Sequence, residues 1–391
     1  MCLACRAPTD PGAAMSGETS IPPSGPLSGL RILEMEALGP LPLAGTLLAG
    51  FGADVVRITR AGAAATPDPV VRGRRVMTLD LKSGPGRAML LDLVAHADAL
   101  MEGFRPGTME KLGLGPADCH AANPALVYAR MTGWGQDGPL AQEAGHDINY
   151  IAVAGALGRI VGEGGRPGLP INLVGDYGGG TMPLLFGLMT ALWQARATGR
   201  GEVIDAAMVD GTATLMAKQY AWHGQGHLGA PGTNLLDGGA FFYDTYSCAD
   251  GRHVAVGAIE PKFYAALLEV LDLAPADLPP QHDKARWPEG RRLFAARFAT
   301  RARDEWVTLA EGRDACLSPV LTLDEAIDHP QAQARASFAR AADGAVLPLA
   351  APRFGSMAGQ RMQAEGNTET DLATLLDDWA AGRADQDWER T

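Results

Sequence analysis

The sequence predicts an α/β fold, in which a large Rossmann-like domain with an open parallel sheet precedes a small α+β domain. Short apolar strands alternate with helical segments over residues 26–224, a pattern typical of parallel sheets covered by helices. A glycine-rich stretch and a hairpin pattern follow from residue 225. The chain has 391 residues, of which 47% are hydrophobic and 20% charged, and this length is sufficient for two domains.

The large domain begins with a β–α–β pattern. Residues 31–36 predict a strand, residues 41–49 an apolar helix and residues 53–58 a second strand. Further strands are predicted at 76–81, 97–104 and 125–131, with a helix at 86–95. The turn after the first strand lacks the GxGxxG pattern, and GxxxxGK[ST] does not occur in the sequence. We therefore expect a Rossmann-like sheet that binds neither a dinucleotide nor a nucleotide through a P-loop.

The second half of the chain changes character. Residues 181–197 are the most apolar stretch and predict a buried core helix, because no run reaches the ~18–20 apolar residues of a membrane span. A strand is predicted at 202–205, a helix at 206–217, a hairpin at 242–256 and a helix at 261–271. We assign residues 1–25 to a disordered leader, 26–224 to the large domain, 225–330 to the small domain and 331–391 to a segment that returns to the large domain.

Composition excludes several classes of function. The net charge of −12 argues against a broad nucleic-acid surface, since phosphate binding requires a basic footprint. Cys2 and Cys5 form a CxxC that we interpret as incidental, and the remaining cysteines are scattered as in a reducing compartment. His223 and His227 lack the glutamate of a zinc-binding HExxH motif. We expect a cytoplasmic protein without a metal site, a membrane span or a nucleic-acid partner.

Two titratable residues lie in glycine-bordered apolar sequence. His146 belongs to GHDINY at 145–150, and Asp176 belongs to GDYGGG at 175–180. A histidine with a pKa near ~6.5 and an aspartate whose pKa of ~3.9 is raised by burial can remove a proton from one face of a carbon acid and return it to the other. The pair therefore predicts a racemase or epimerase. The alternatives are a structural histidine and an aspartate that caps the next helix.

Several segments together resemble the family III CoA-transferases of the CaiB/BaiF type, and within them the α-methylacyl-CoA racemases. The most specific are GHDINY at 145–150, LDGGA at 236–240 and VGAIEP at 256–261. Supporting matches are GADVVR at 52–57, LDLK at 79–82 and VIDAAMV at 203–209. The resemblance extends from about residue 27 to residue 319 and is far more specific than any one short pattern.

The resemblance implies an interlocked homodimer with its active site between domains, and a role in lipid and fatty acid metabolism. It implies interconversion of (2R)- and (2S)-2-methylacyl-CoA by 1,1-proton transfer through an enolate, with His146 acting on the S substrate and Asp176 on the R substrate. The backbone amide of Asp147 is then expected to face the thioester oxygen, and Glu260 to orient the histidine. Coenzyme A is part of the substrate, so no separate cofactor is expected.

A basic cluster in the first domain suits the phosphates of CoA, because arginine binds phosphate with two parallel hydrogen bonds. The cluster comprises Arg57, Arg60, Arg72, Arg74, Arg75, Lys82 and Arg105. The resemblance implies that the CoA site is lined by Arg60, Leu79, Asp80, Leu81, Lys82, Arg105, Gly145, His146, Asp147, Ile148, Asn149 and Tyr150.

The main alternative is a true CoA-transferase. In those enzymes the residue equivalent to Asp176 is a nucleophile that forms covalent intermediates with the acyl group. Transferases of the family generally lack the histidine of GHDINY, so His146 favours the racemase. The acyl group remains open between a branched fatty chain, a steroid side chain and an aryl-propionyl group.

Overall fold

A computed structural model of the chain describes residues 25–60, 68–341, 344–355 and 367–384. Residues 1–24 of the predicted leader, with Cys2 and Cys5, lie outside these ranges. The strands are β1 Arg31–Met35, β2 Asp54–Thr59, β3 Arg75–Thr78, β4 Ala99–Glu102, β5 Val127–Thr132, β6 Val203–Ala207, β7 Tyr243–Ser247, β8 His253–Gly257, β9 Leu317–Pro319, β10 Phe338–Arg340, β11 Val346–Pro348 and β12 Thr368–Glu369.

The helices are α1 Pro40–Gly50, α2 Gly84–Val94, α3 Thr108–Lys111, α4 Pro116–Ala122, α5 Asp147–Val153, α6 Met182–Thr198, α7 Met208–Leu215, α8 Ala217–Gly224, α9 Pro261–Leu271, α10 Trp287–Phe298, α11 Arg303–Ala310, α12 Leu323–Asp328, α13 Pro330–Ala334 and α14 Leu372–Ala384. A π-helix, Leu173–Thr181, leads directly into α6. Across the described residues, no helix is long and apolar enough to cross a membrane.

Seven strands form one parallel sheet in the order β12-β3-β2-β1-β4-β5-β6. The predicted open parallel sheet is therefore confirmed. The chain moves outward from β1 through β2 to β3 and then returns to place β4 on the other side of β1. Ligands of such sheets bind outside the carboxyl ends of the strands at this reversal of direction. The carboxyl ends of β1 and β4 are thus the expected position of a site.

Three apolar cores hold the molecule together. One covers the face of the sheet under α1 and α6, and a second covers the opposite face under α2 and α14. The third belongs to the small domain, where β7, β8 and β9 form an antiparallel sheet packed on aromatic side chains. Phe241, Phe294, Phe298 and Trp306 in this core are fully buried. Burial of separate apolar faces explains why the sequence changes its pattern near residue 225.

The C-terminal part of the chain contacts the large sheet. β12 pairs with β3, and the indole of Trp379 on α14 is buried beside β2. Its Nε1 donates a hydrogen bond of 2.8 Å to Oδ2 of Asp54, and Arg31 donates to the carbonyl of Trp379. The Trp379 contacts lie at the amino ends of β1 and β2, opposite to the predicted site, and β12 extends the edge of the sheet beyond β3.

The π-helix is not predicted by the sequence pattern. It packs directly on α7, because glycines in both helices let the two backbones approach closely. A Cβ atom on Gly211 would lie 1.8 Å from the carbonyl oxygen of Gly179, and one on Gly179 would lie 2.5 Å from Oγ1 of Thr212. The helix predicted over 206–217 is shorter in the structure: residues 206–207 belong to β6, α7 ends at Leu215, and a separate helix, α8, continues to Gly224.

Helix α6 has two apolar faces, only one of which packs on the sheet. Leu184, Leu188 and Ala191 are buried, as expected for a core helix. On the other face, Phe186 is 78% exposed and Trp193 is 79% exposed. The prediction of a buried core helix is therefore wrong for this second face in the single chain. An exposed apolar face is typical of an interaction surface.

Candidate active site

The loop after β5 places His146 at the carboxyl edge of the sheet, immediately before α5. The His146 amide donates a 3.0 Å hydrogen bond to Oδ1 of Asn149, and the Asn149 amide donates a 2.8 Å bond to the His146 carbonyl. This reciprocal cap fixes how the chain enters the helix. The Tyr150 hydroxyl donates to the carbonyl of Gly145, and its ring meets Trp134 edge-to-face. The side chain of His146 is exposed, whereas its backbone is fixed by the bonds to Asn149 and by the Tyr150 bond to the preceding residue.

Asp176 lies in the π-helix, where its carboxyl group is half-buried. Its Oδ2 accepts a 3.2 Å hydrogen bond from Nδ2 of Asn172, one turn earlier. Burial raises the pKa of Asp176, the charge of Asp147 raises it further, and Asn172 and His146 oppose the increase. Thr181, not Asp176, precedes α6, so the helix-cap explanation of this aspartate does not apply.

Asp147 follows His146 in the sequence, and its side chain is hydrogen-bonded to the backbone of Asp176. Its carboxylate is buried, and Oδ2 accepts hydrogen bonds from the amides of Gly175 at 2.7 Å and Asp176 at 2.8 Å. The structure thereby brings His146, Asp147 and Asp176 together, and the charge of His146 lowers the pKa of Asp176. Neither Asn172 nor the Asp147 side chain was singled out by the sequence. The i,i+4 spacing of Asn172 and Asp176 is a signal that could have found the first of them.

The predicted CoA-binding residues of the strand ends share one edge of the sheet. Arg60 follows β2, residues 79–82 follow β3, and Arg105 follows β4. Arg60, Lys82 and Arg105 are exposed, whereas the neighbouring Leu79 is buried and Leu81 is half-buried. Asp80 accepts a 3.0 Å hydrogen bond from the Lys82 amide and shapes the turn. This edge therefore carries three exposed cations, of which Arg105 follows β4, the strand next to the one that precedes the His146 loop.

Other members of the basic cluster have structural partners. Arg57 and Arg74 are buried and both form ion pairs with the buried carboxylate of Glu34. Arg75 forms ion pairs with Asp54 and with a carboxylate of α14. Buried arginines that already pair with carboxylates cannot also bind phosphate without breaking those pairs. The interpretation of the whole cluster as a phosphate site is therefore too broad.

Glu260 lies in the small domain at the residue that precedes α9. It is exposed, and its side chain makes no hydrogen bond to the start of that helix. Its charge contributes, after burial, to a raised pKa of Cys316. Among the contacts of the described residues, none joins Glu260 to His146. A role of Glu260 beside the histidine thus stays a prediction.

Glu102, at the carboxyl end of β4, is a buried acid that the sequence analysis did not identify. Its Oε2 accepts a 2.7 Å hydrogen bond from the Phe104 amide, and Oε1 lies 3.6 Å from Nε of Arg130 on β5. Burial raises the pKa of Glu102 to about 7, against the opposing effects of Phe104 and Arg130. A charged residue at the end of an otherwise apolar strand, followed by glycine, was the available signal.

Comparison with known proteins shows to which family the chain belongs. The chain matches the model of CoA-transferase family III over residues 27–371. It belongs to this family. The α-methylacyl-CoA racemase of Mus musculus is 46% identical over 327 residues, which are 83% of this chain and 85% of the mouse protein. The α-methylacyl-CoA racemase of Homo sapiens is 43% identical over 83% of this chain and 86% of the human protein.

A solved structure of the family has the same fold. The crystal structure of Rv3272 from M. tuberculosis, a probable fatty acyl-CoA transferase, matches with a TM-score of 0.73 and 28% identity. The match covers 89% of this chain and 97% of that protein. The predicted membership of CoA-transferase family III and its fold are thus confirmed.

Proposed function

We propose that this protein is an α-methylacyl-CoA racemase, an isomerase that interconverts (2R)- and (2S)-2-methylacyl-CoA. The observation that carries the proposal is that an exposed histidine, His146, lies near enough to the half-buried Asp176 for its charge to act on that aspartate, while the Asp147 carboxylate accepts the Asp176 amide. The identity of 46% and 43% to two racemases supports the same function.

The proposed reaction is a proton transfer at the α-carbon of a thioester. For the S substrate, His146 removes the Cα proton, and Asp176 returns a proton to the opposite face; for the R substrate the roles are exchanged. Between the two steps, negative charge lies on the thioester oxygen of an enolate. The Asp147 amide, as the first of α5, is the donor proposed for that oxygen. The raised pKa of Asp176 suits a group that must hold a proton before it donates one.

The CoA moiety of the substrate is proposed to lie along the carboxyl edge of the sheet. Arg60, Lys82 and Arg105 would contact its phosphates, because they are exposed cations that follow β2, β3 and β4 at the carboxyl edge of the sheet. Residues 79–81 and 145–150 would line the remainder. No further cofactor is required, since the thioester itself stabilises the enolate.

We also propose a cytoplasmic homodimer. The apolar face of α6 formed by Met182, Phe186, Met189 and Trp193 follows helical spacing and stands beside the edge strand β6. A second copy that covers this face would remove four large apolar side chains from water, which favours association. The partner's small domain is the proposed source of a Glu260 for His146. The interlocked arrangement implied by the resemblance remains a prediction.

The racemase is tested with (2R)-2-methylacyl-CoA and purified protein in D2O, followed by NMR and chiral separation. Deuterium at Cα together with the S epimer is the expected result. His146→Ala and Asp176→Asn should each reduce the rate by at least about 100-fold, the typical contribution of a general acid or base. Absence of exchange, with transfer of CoA from the thioester to an added carboxylate, would instead identify a CoA-transferase with Asp176 as nucleophile.

The homodimer is tested by light scattering after size-exclusion chromatography. Phe186→Asp and Trp193→Asp are expected to yield monomers, because each places a charge in the apolar face. Gln194→Asp on the same helix is the matched control and should remain dimeric, since Gln194 lies outside that face. A monomeric wild-type protein at micromolar concentration would contradict this part of the proposal.

A further inference from the structure

The proposed role of Asp147 in the reaction involves only its backbone amide, yet its side chain is buried and makes hydrogen bonds of its own. One carboxylate oxygen, Oδ2, accepts the amide hydrogens of both Gly175 and Asp176. Asp147 is 8% exposed. A carboxylate is costly to bury and persists where hydrogen bonds satisfy it, so these two bonds account for its presence.

We propose that Asp147 is a positioning residue whose carboxylate fixes the backbone of Asp176 relative to His146, and so sets the separation of the two groups that exchange protons with the substrate. The inference rests on the proposed racemase function. His146 is joined to Asp147 by a peptide bond, and Asp147 is joined to Asp176 by a hydrogen bond of 2.8 Å. Asp147 and Asp176 are 29 positions apart in the sequence, so this hydrogen bond links them far more directly than the chain does.

The contact leaves little room for movement. A Cβ atom on Gly175 would lie 2.6 Å from Oδ2 of Asp147 and 3.0 Å from Ile151. Glycine at 175 is therefore required for the carboxylate to approach the π-helix. Transfer of a proton to and from a carbon held between two groups depends steeply on their separation, and a displacement of about 1 Å can cost about 100-fold in rate.

The same carboxylate acts on Asp176 through its charge. Asp147 raises the pKa of Asp176, after the larger effect of burial, whereas His146 lowers it. The titratable or charged groups on the elements that pack against the π-helix are His146, Asp147, Tyr150, Asp205, Asp210 and Arg196. Helix α1, which also packs there, contributes none. Asp147 thus controls both where Asp176 lies and how readily it holds a proton.

Asp147→Asn separates these two effects. The two amides share one acceptor oxygen, and the amide oxygen of asparagine can occupy that place while the charge is lost. We expect Asp147→Asn to retain activity within about tenfold of wild type, because the geometry is retained. The pH limb that reports Asp176 should move to lower pH for racemisation from the R substrate. An unchanged profile would refute the electrostatic part of the inference.

Asp147→Ala removes both hydrogen bonds as well as the charge. Its kcat is expected to fall at least about 100-fold, a larger change than that in KM for the CoA ester. If Asp147→Ala retained kcat within threefold of wild type, the positioning role would be wrong. Near-UV circular dichroism shows whether Asp147→Ala folds. If it does not fold, the test rests on Asp147→Asn. A loss of activity in Asp147→Asn as large as that in Asp176→Asn would refute the expectation that asparagine retains the geometry.

Asp210→Asn is the matched control, because it removes one negative charge from α7, which packs on the same π-helix. Asp210 is exposed, and its substitution should leave both kcat and the pH profile in place. Wild-type protein without exchange at Cα would refute the proposed function itself. If the wild-type protein is active and the Asp147 variants behave like Asp210→Asn, only the role of Asp147 would be refuted.

Discussion

Glu102 makes the stability of this protein depend on pH in a direction opposite to that of an ordinary paired carboxylate. Burial raises the pKa of Glu102 from 4.5 to about 7, and the nearby Glu110 adds to the increase, whereas the Phe104 amide and Arg130 oppose it. A raised pKa means that the folded state binds a proton more tightly than the unfolded state. The resulting stabilisation is complete below pH 4.5 and is lost as pH rises through 7.

The substitution Glu102→Gln measures this contribution. Glutamine can still accept from the Phe104 amide, but it carries no charge to desolvate. The shift from 4.5 to about 7, at 1.36 kcal/mol for each pKa unit, corresponds to about 3 kcal/mol. Between pH 4.5 and 8, wild type should therefore lose about 3 kcal/mol of unfolding free energy relative to the variant.

The assay is urea unfolding of both proteins, followed by circular dichroism at intervals of half a pH unit. The difference between the two free energies removes the contributions of groups that titrate alike in both proteins. A difference that does not change with pH would refute the reasoning. A change of the opposite sign would show that the ion pair with Arg130 outweighs burial.

Three further predictions concern packing and a buried ion-pair network. Gly175→Ala should lower kcat by about 100-fold and stability by about 1–3 kcal/mol, because its Cβ would displace Asp147; normal turnover in the folded variant would contradict the close contact. Trp379→Ala should cost about 3–5 kcal/mol in urea unfolding, and Trp379→Phe, which loses the bond to Asp54, about 1 kcal/mol; equal losses would be evidence against this ranking. Glu34→Gln should cost about 3–5 kcal/mol, since two buried arginines lose their countercharge, and a cost under 1 kcal/mol in urea unfolding would show that other groups suffice.

Part of the fold follows from local sequence. β1, β2 and β8 begin and end within one residue of their predicted bounds, and α9 coincides with its prediction. Alternation of apolar strands and helices suffices for them, because each buries its apolar side on the nearest neighbours in the chain. The segments that resemble CoA-transferase family III likewise identify the family without any structure.

Contacts between distant segments required the tertiary structure. β12 has two residues and pairs with a strand about 290 residues earlier, so no local sequence pattern predicts it. The exposed face of α6 was also missed, since apolar composition does not say which face packs on the sheet. The same holds for the basic cluster, in which burial separates Arg74, paired with Glu34, from the exposed Arg60.

By itself, the sequence determined the fold class, the family and the identity of His146 and Asp176 as the candidate acid–base pair. The tertiary structure alone decided how that pair is held together. The amides of residues 175 and 176 reach the Asp147 carboxylate because the glycines of the π-helix allow it to pack closely between α5 and α7. A hydrogen bond between segments 29 residues apart depends on packing in three dimensions, to which local sequence patterns do not respond.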